Sequence, residues 1–158
     1  MMRAGAAEAA GGGAGHRPSP HRVVNPEGLA PPVGFAHAVV AAPGRTVYLG
    51  GQAAQGPDGA IAGATLAEQF DLAAANLVAA LAAAGGSPEH LVSLHIYTTE
   101  IYVYRASLGQ LGAAYRRHLG RQYVATALFE VAGLFDPQAL VELVGIAVVP
   151  DESAREQS

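Results

Sequence analysis

Six histidines, nine Lys plus Arg, thirteen Asp plus Glu and no cysteine are the reactive side chains this chain offers. Without cysteine there is no disulfide framework, thiolate zinc site, sulfur nucleophile or redox switch, and a reducing, cytoplasmic setting fits. The histidines show no paired spacing and no accompanying carboxylate cluster, so no metal site is expected. His37 follows Phe35 by two residues, which puts both on one side of an extended segment and makes His37 a candidate acid or base. The plainer reading is a surface or hydrogen-bonded histidine. His95 alternates with Tyr97, and Tyr97, Tyr102 and Tyr104 surround a strand-to-helix junction, where packing with hydroxyls at the rim is expected. Gly56-Pro57-Asp58-Gly59 is turn chemistry and not a phosphate loop, because no helix follows with its N-terminus aimed at it. Net charge is −4, and only Arg116, Arg117 and Arg121 group together, so nucleic acid is not expected as the main partner.

The elements that position these residues are read from periodicity. Of 158 residues, 51% are hydrophobic and 34 are alanine, which bounds the chain to one ordinary domain. Residues 1–21 are rich in Ala, Gly, Pro and Ser with almost no large apolar side chain, and are expected to be a disordered tail without the pattern of a secretory signal. A domain over 22–150 and a polar tail over 151–158 follow. Arg22–Val24 reads as a short strand, and Ala38–Ala42 with Thr46–Gly50 flank Pro43-Gly44 as an expected β-hairpin. Thr65 and Glu68 form a capping box that opens a helix of about five turns, stopped by Gly85-Gly86. Glu68, Asp71 and Asn76 interrupt its apolar run, so no membrane span is expected. Leu91–Thr99 alternates as a half-buried strand, Tyr102–Leu119 reads as a second helix, and strands at Tyr123–Val131 and Leu140–Val149 complete the order. This is an α+β arrangement: a mixed β-sheet with two helices on one face. The other face, bearing His95 and Tyr97, needs a cover, and a closed homo-oligomer supplies it.

Several stretches in this order resemble a known family. They are Gly34-Phe35, Gly50-Gly51-Gln52, Gln69 with Asn76, Ala83-Ala84-Gly85, Glu130-Val131-Ala132-Gly133-Leu134, Leu140-Val141-Glu142 and Gly145-Ile146-Ala147-Val148. Together they are similar to the YjgF/RidA (Rid) family over nearly the whole core. The resemblance implies a chorismate mutase-like fold, a homotrimer with a ligand cleft at each subunit interface, and no cofactor. It also implies hydrolytic release of ammonia from imines and enamines derived from amino acids. Active members hold the substrate carboxylate with an arginine in a Pro-Ala-Arg-Ser stretch, which here reads Val124-Ala125-Thr126-Ala127. A threonine hydroxyl cannot supply the charged bidentate fork. Phe35 replaces a usual tyrosine, Gly50 a frequent serine, and Gly112 a frequent asparagine.

What the resemblance retains is Glu142, which in active members positions or activates the attacking water, and the Gly51 backbone. Between Val141 and Leu143, at a cleft lined by Phe35 and Leu128, this carboxylate would be partly desolvated, a setting suited to general acid–base work. The competing reading is a strand glutamate that points outward or pairs with an arginine. Arg105 and Arg121 are the nearby cations that could reach a cleft. The expected site is therefore Glu142 and Thr126 for chemistry, with Phe35, His37, Gly51, Gln52 and Leu128 binding a small molecule. Two functions follow. One is hydrolysis or tautomerisation of an imine or enamine without a carboxylate. The other is a non-catalytic small-molecule-binding or scaffold trimer. Ribonuclease activity is disfavoured by the acidic balance.

Overall fold

Residues 15–151 are described by a computed structural model of the chain. Of the expected tails over 1–21 and 151–158, residues 1–14 and 152–158 lie outside the described residues. Six strands and three helices follow in chain order: β1 Arg22–Val24, β2 Ala38–Val40, β3 Gly44–Gln52, α1 Leu66–Ala83, β4 Leu91–Thr98, α2 Ile101–Ala106, α3 Leu108–Leu119, β5 Ala125–Glu130 and β6 Val141–Pro150. The main sheet has the order β3-β6-β4-β5, antiparallel except for the parallel β4–β5 pair. This is the mixed α+β architecture expected, with the helices on one face.

α1 forms where its caps and stripe agree. Thr65 Oγ1 accepts from the Glu68 N–H at 3.2 Å, and the Glu68 carboxylate accepts from the Thr65 and Ala64 N–H groups at 3.1 and 2.7 Å. Leu66, Phe70, Leu77 and Leu81 are fully buried against the sheet, each worth roughly 1.5–3 kcal/mol in apolar burial. At 18 residues α1 is long and apolar enough to cross a membrane by length alone, but its buried stripe is that of a core helix.

Two expectations are corrected. Ala38–Val40 and the strand after Pro43-Gly44 do not form a hairpin: β2 pairs with β1, and β3 pairs with β6. Gly44 is there for close approach, since a Cβ would overlap the Val149 carbonyl of β6. The second helix is two. Ser107 donates its hydroxyl to the Val103 carbonyl at 2.8 Å and leaves helical geometry at φ −108°, ψ 11°, separating α2 from α3. His21 is buried, its Nδ1 accepting from the Ala42 N–H at 3.0 Å, so its Nε2 carries the proton donated to the His90 carbonyl at 3.1 Å.

α1 and α3 are joined by Asp71, whose carboxylate accepts from Arg117 Nη2 at 2.5 Å and sits 2.7 Å from His118 Nε2. Burial pushes the Asp71 carboxyl up, but the hydrogen bonds and charges of Arg117 and His118 outweigh it and hold the group below its usual value. A depressed carboxylate stabilises the fold above its unfolded-state pKa, and that contribution is lost as pH falls through the folded value. Asp71→Asn should therefore lower the melting temperature at neutral pH, at a cost of about 1 kcal/mol for so exposed a pair. The gap between variant and parent in thermal scans should close on acidification. A gap that stays constant into acid would refute the assignment.

Candidate active site

Parity along each strand decides which face a side chain reaches. Leu94, Ile96 and Thr98 of β4 are buried under the helices, so their partners Thr126, Leu128 and Glu130 on β5 belong to the helix face. Because β5 is an edge strand, that face opens there into a cleft of about 480 Å³. Thr126 and Leu128 form its floor, and Phe35, Tyr104, Leu111 and Tyr115 are among its walls. Phe35 arrives because its neighbour Ala36 runs alongside β5, donating its N–H to the Val124 carbonyl at 2.9 Å. The cleft is mostly apolar. Thr126 spends its hydroxyl hydrogen on the Val124 carbonyl at 2.8 Å. Burial pushes the Tyr104 hydroxyl up to about 12, and burial with the neighbouring Tyr123 raises Tyr115, so both walls stay neutral at ordinary pH.

Glu142 lies on the other face. It stands opposite Tyr97 on β4, which is in turn opposite Phe129 on β5, and these positions share the side of the sheet that no helix covers. Tyr97 and Phe129 stack with centroids 5.4 Å apart, and His95 meets Phe129 edge-on at 5.9 Å. β3 carries one extra residue between Leu49 and Gln52, and this bulge turns the Gly51 backbone against the carboxylate: a Cβ on Gly51 would overlap Glu142 Oε1. Glu142 is half-buried there. The expected residues thus fall into two groups. Phe35, Thr126 and Leu128 meet in one cleft, Glu142 and Gly51 meet on the opposite face, and one chain cannot bring the two groups together.

The remaining expected residues have local roles. His37 donates its Nε2–H to the Ala30 carbonyl at 2.8 Å and packs edge-on against Phe35 at 5.1 Å. It lines a shallow depression with His95 beside Thr126, and its ring is held by its own loop. Gln52 is close enough to donate to the Gly50 carbonyl, at 3.3 Å, and braces the bulge.

The profile of the family described as Endoribonuclease L-PSP matches residues 27–149. The chain belongs to that family, the YjgF/RidA (Rid) proteins. Among solved structures, a protein of unknown function of the Rid family from Yersinia pestis, YyfB, is 32% identical, with a TM-score of 0.74 over 82% of this chain and 98% of that one. A YjgF family member from Mycobacterium tuberculosis is 28% identical, with a TM-score of 0.56 over 74% and 88% of the two chains. RidA from an Antarctic Psychrobacter is 25% identical, with a TM-score of 0.57 over 76% and 92%. No curated protein matches the sequence.

In this Rid protein the cation nearest the cleft is one that sequence reasoning missed. Arg105 and Arg121 were the expected candidates, and neither lines the Thr126 cleft, whereas Arg116 does. Its guanidinium lies back along α3 over Gly112, where a Cβ would stand 3.2 Å from Nη1. The signal was available: Gly112 and Arg116 are one helical turn apart, at i and i+4.

Proposed function

We propose that this Rid protein acts on a small imine- or enamine-type substrate with no carboxylate on the reacting carbon. Glu142 of one subunit serves as acid and base at the Phe35–Thr126–Leu128 cleft of the next. The observation that carries this reading is the seating of the Glu142 carboxylate against the Gly51 backbone, on the sheet face opposite the described helices. In the hydrolytic direction Glu142 takes a proton from water as its oxygen bonds to the C=N carbon. Glu142 returns that proton to nitrogen, then carries the hydroxyl proton of the carbinolamine to the same nitrogen as C=O forms, the C–N bond breaks and ammonia leaves. Thr126 offers a neutral contact, and the apolar walls favour an uncharged reacting end.

A second reading has one observation in its favour: the Thr126 hydroxyl is already committed to its own strand. On that reading the cleft only binds a metabolite. A thermal-shift screen in which ligands raise the melting temperature without turnover would support it.

The test of a shared site is complementation between subunits. Trimers of Glu142→Gln and trimers of Leu128→Trp, whose indole fills the cleft, should each be inactive. Refolded together at equal amounts, they should regain about one quarter of the parental activity, because one site in four draws an intact carboxylate and an intact cleft from different chains. No recovery would mean that each chain works alone or that Glu142 is not the acid–base group.

A further inference from the structure

Beside the Thr126 cleft lies a second one of about 730 Å³, between the segment Gly15–Ser19, the end of α3 and the loop before β5. Arg116 and Tyr123 line both, so the two clefts adjoin along one wall. All nine basic residues of the chain are arginines, and four of them, Arg17, Arg116, Arg117 and Arg121, converge on this second cleft in a protein of net charge −4. Arg117 is committed to Asp71. Among the described residues the other three have no ion-pair partner, and Glu89 is the one carboxylate in the lining. Three unpaired guanidiniums against one carboxylate leave the concave site net positive, which raises the local concentration of anions. Guanidinium forks suit phosphate and carboxylate oxygens in particular.

We propose that the adjoining clefts form one groove for an elongated, amphiphilic anion: an apolar reacting end at Phe35, Thr126 and Leu128, and a phosphate or carboxylate held by Arg116, Arg121 and Arg17. The inference rests on the preceding reading only for which end reacts, and the anion site stands without it. The charge that orients the substrate stands on the α3 wall, away from the reacting carbon, where Gly112 leaves room for it. Volumes of this size are those of small-molecule sites.

Hexyl phosphate, hexanoate, inorganic phosphate and hexanol are the probes, with binding read by titration calorimetry. Hexyl phosphate or hexanoate should bind more tightly than either inorganic phosphate or hexanol, and which of the two acids binds better identifies the headgroup. Arg116→Ala and Arg121→Ala should each weaken binding about tenfold or more, as loss of a charge-assisted contact does. Arg45→Ala, at the remote pair with Asp151, should leave it unchanged. Glu142→Gln should bind hexyl phosphate normally, so a failure of the catalytic reading leaves this result standing. Four outcomes would overturn the proposal: no binding of either acid, binding indifferent to Arg116 and Arg121, inorganic phosphate binding as well as the amphiphiles, or the same arginines binding a single-stranded RNA oligonucleotide in their place.

Discussion

Glu142→Gln is expected to lower turnover of neutral imines by about 10²–10⁴-fold, the range that a positioned acid–base group contributes. The substitution keeps the shape that fits against Gly51 and removes only the proton-accepting oxygen, so melting temperature should hold while rate falls. Ammonia release followed with neutral imines as substrates gives the measurement. Parallel assays on 2-aminoacrylate should show little activity in the parent itself, because no guanidinium rises from position 126 to fix a carboxylate on the reacting carbon. Rapid release from 2-aminoacrylate would refute the argument from Thr126. Undiminished turnover in the glutamine variant would remove Glu142 from the chemistry.

Phe129→Asp is expected to dissolve the assembly and, with it, all turnover, although the variant alters neither Glu142 nor the helix-face cleft. Phe129 stacks on Tyr97 in the aromatic row of the uncovered sheet face, where His95 also packs and Tyr48 is 78% exposed. Such a patch is costly in water and stable when shared between copies around an axis. An aspartate in its middle would be buried without a cation, which costs about 3–5 kcal/mol per copy and is repeated at every copy of the interface. Light scattering after size-exclusion chromatography should show a trimer for the parent and a monomer for the variant. A parent that runs as a monomer, or a variant that remains assembled and active, would refute the shared site.

How much of this was legible differs element by element. α1 could be read outright, because Thr65, Glu68 and the Gly85-Gly86 stop are local signals and the structure uses them as written. The partner of β3 could not. Pro43-Gly44 has the composition of a tight turn, but Gly44 answers to the backbone of Val149, more than a hundred residues away. The same limit governs the site. Phe35, Thr126 and Leu128 were expected together and meet in one cleft. That Glu142 lies on the opposite face depends on the register of β4 with β5 and with β6, two long-range pairings that no spacing within a strand encodes. Distance along the chain does not single out Arg116 from Arg105 or Arg121; its place at the cleft comes from the packing of α3 beside Thr126 and Leu128.

The sheet that separates Thr126 from Glu142 has a consequence for inheritance. On the reading proposed above, a chain donates its carboxylate to one neighbour and its cleft to another, so no copy owns the site it helps to form. A lesion at either position is then not private to the polypeptide that carries it. When damaged and sound copies are made in the same cell they mix within assemblies, and the damaged allele disables sites built partly from sound chains. Conversely, two alleles damaged on opposite faces of the sheet can rescue one another. Selection acting on this protein therefore sees the population of chains, with the floor of the cleft and the carboxylate free to drift separately within one gene but bound to fit each other across copies.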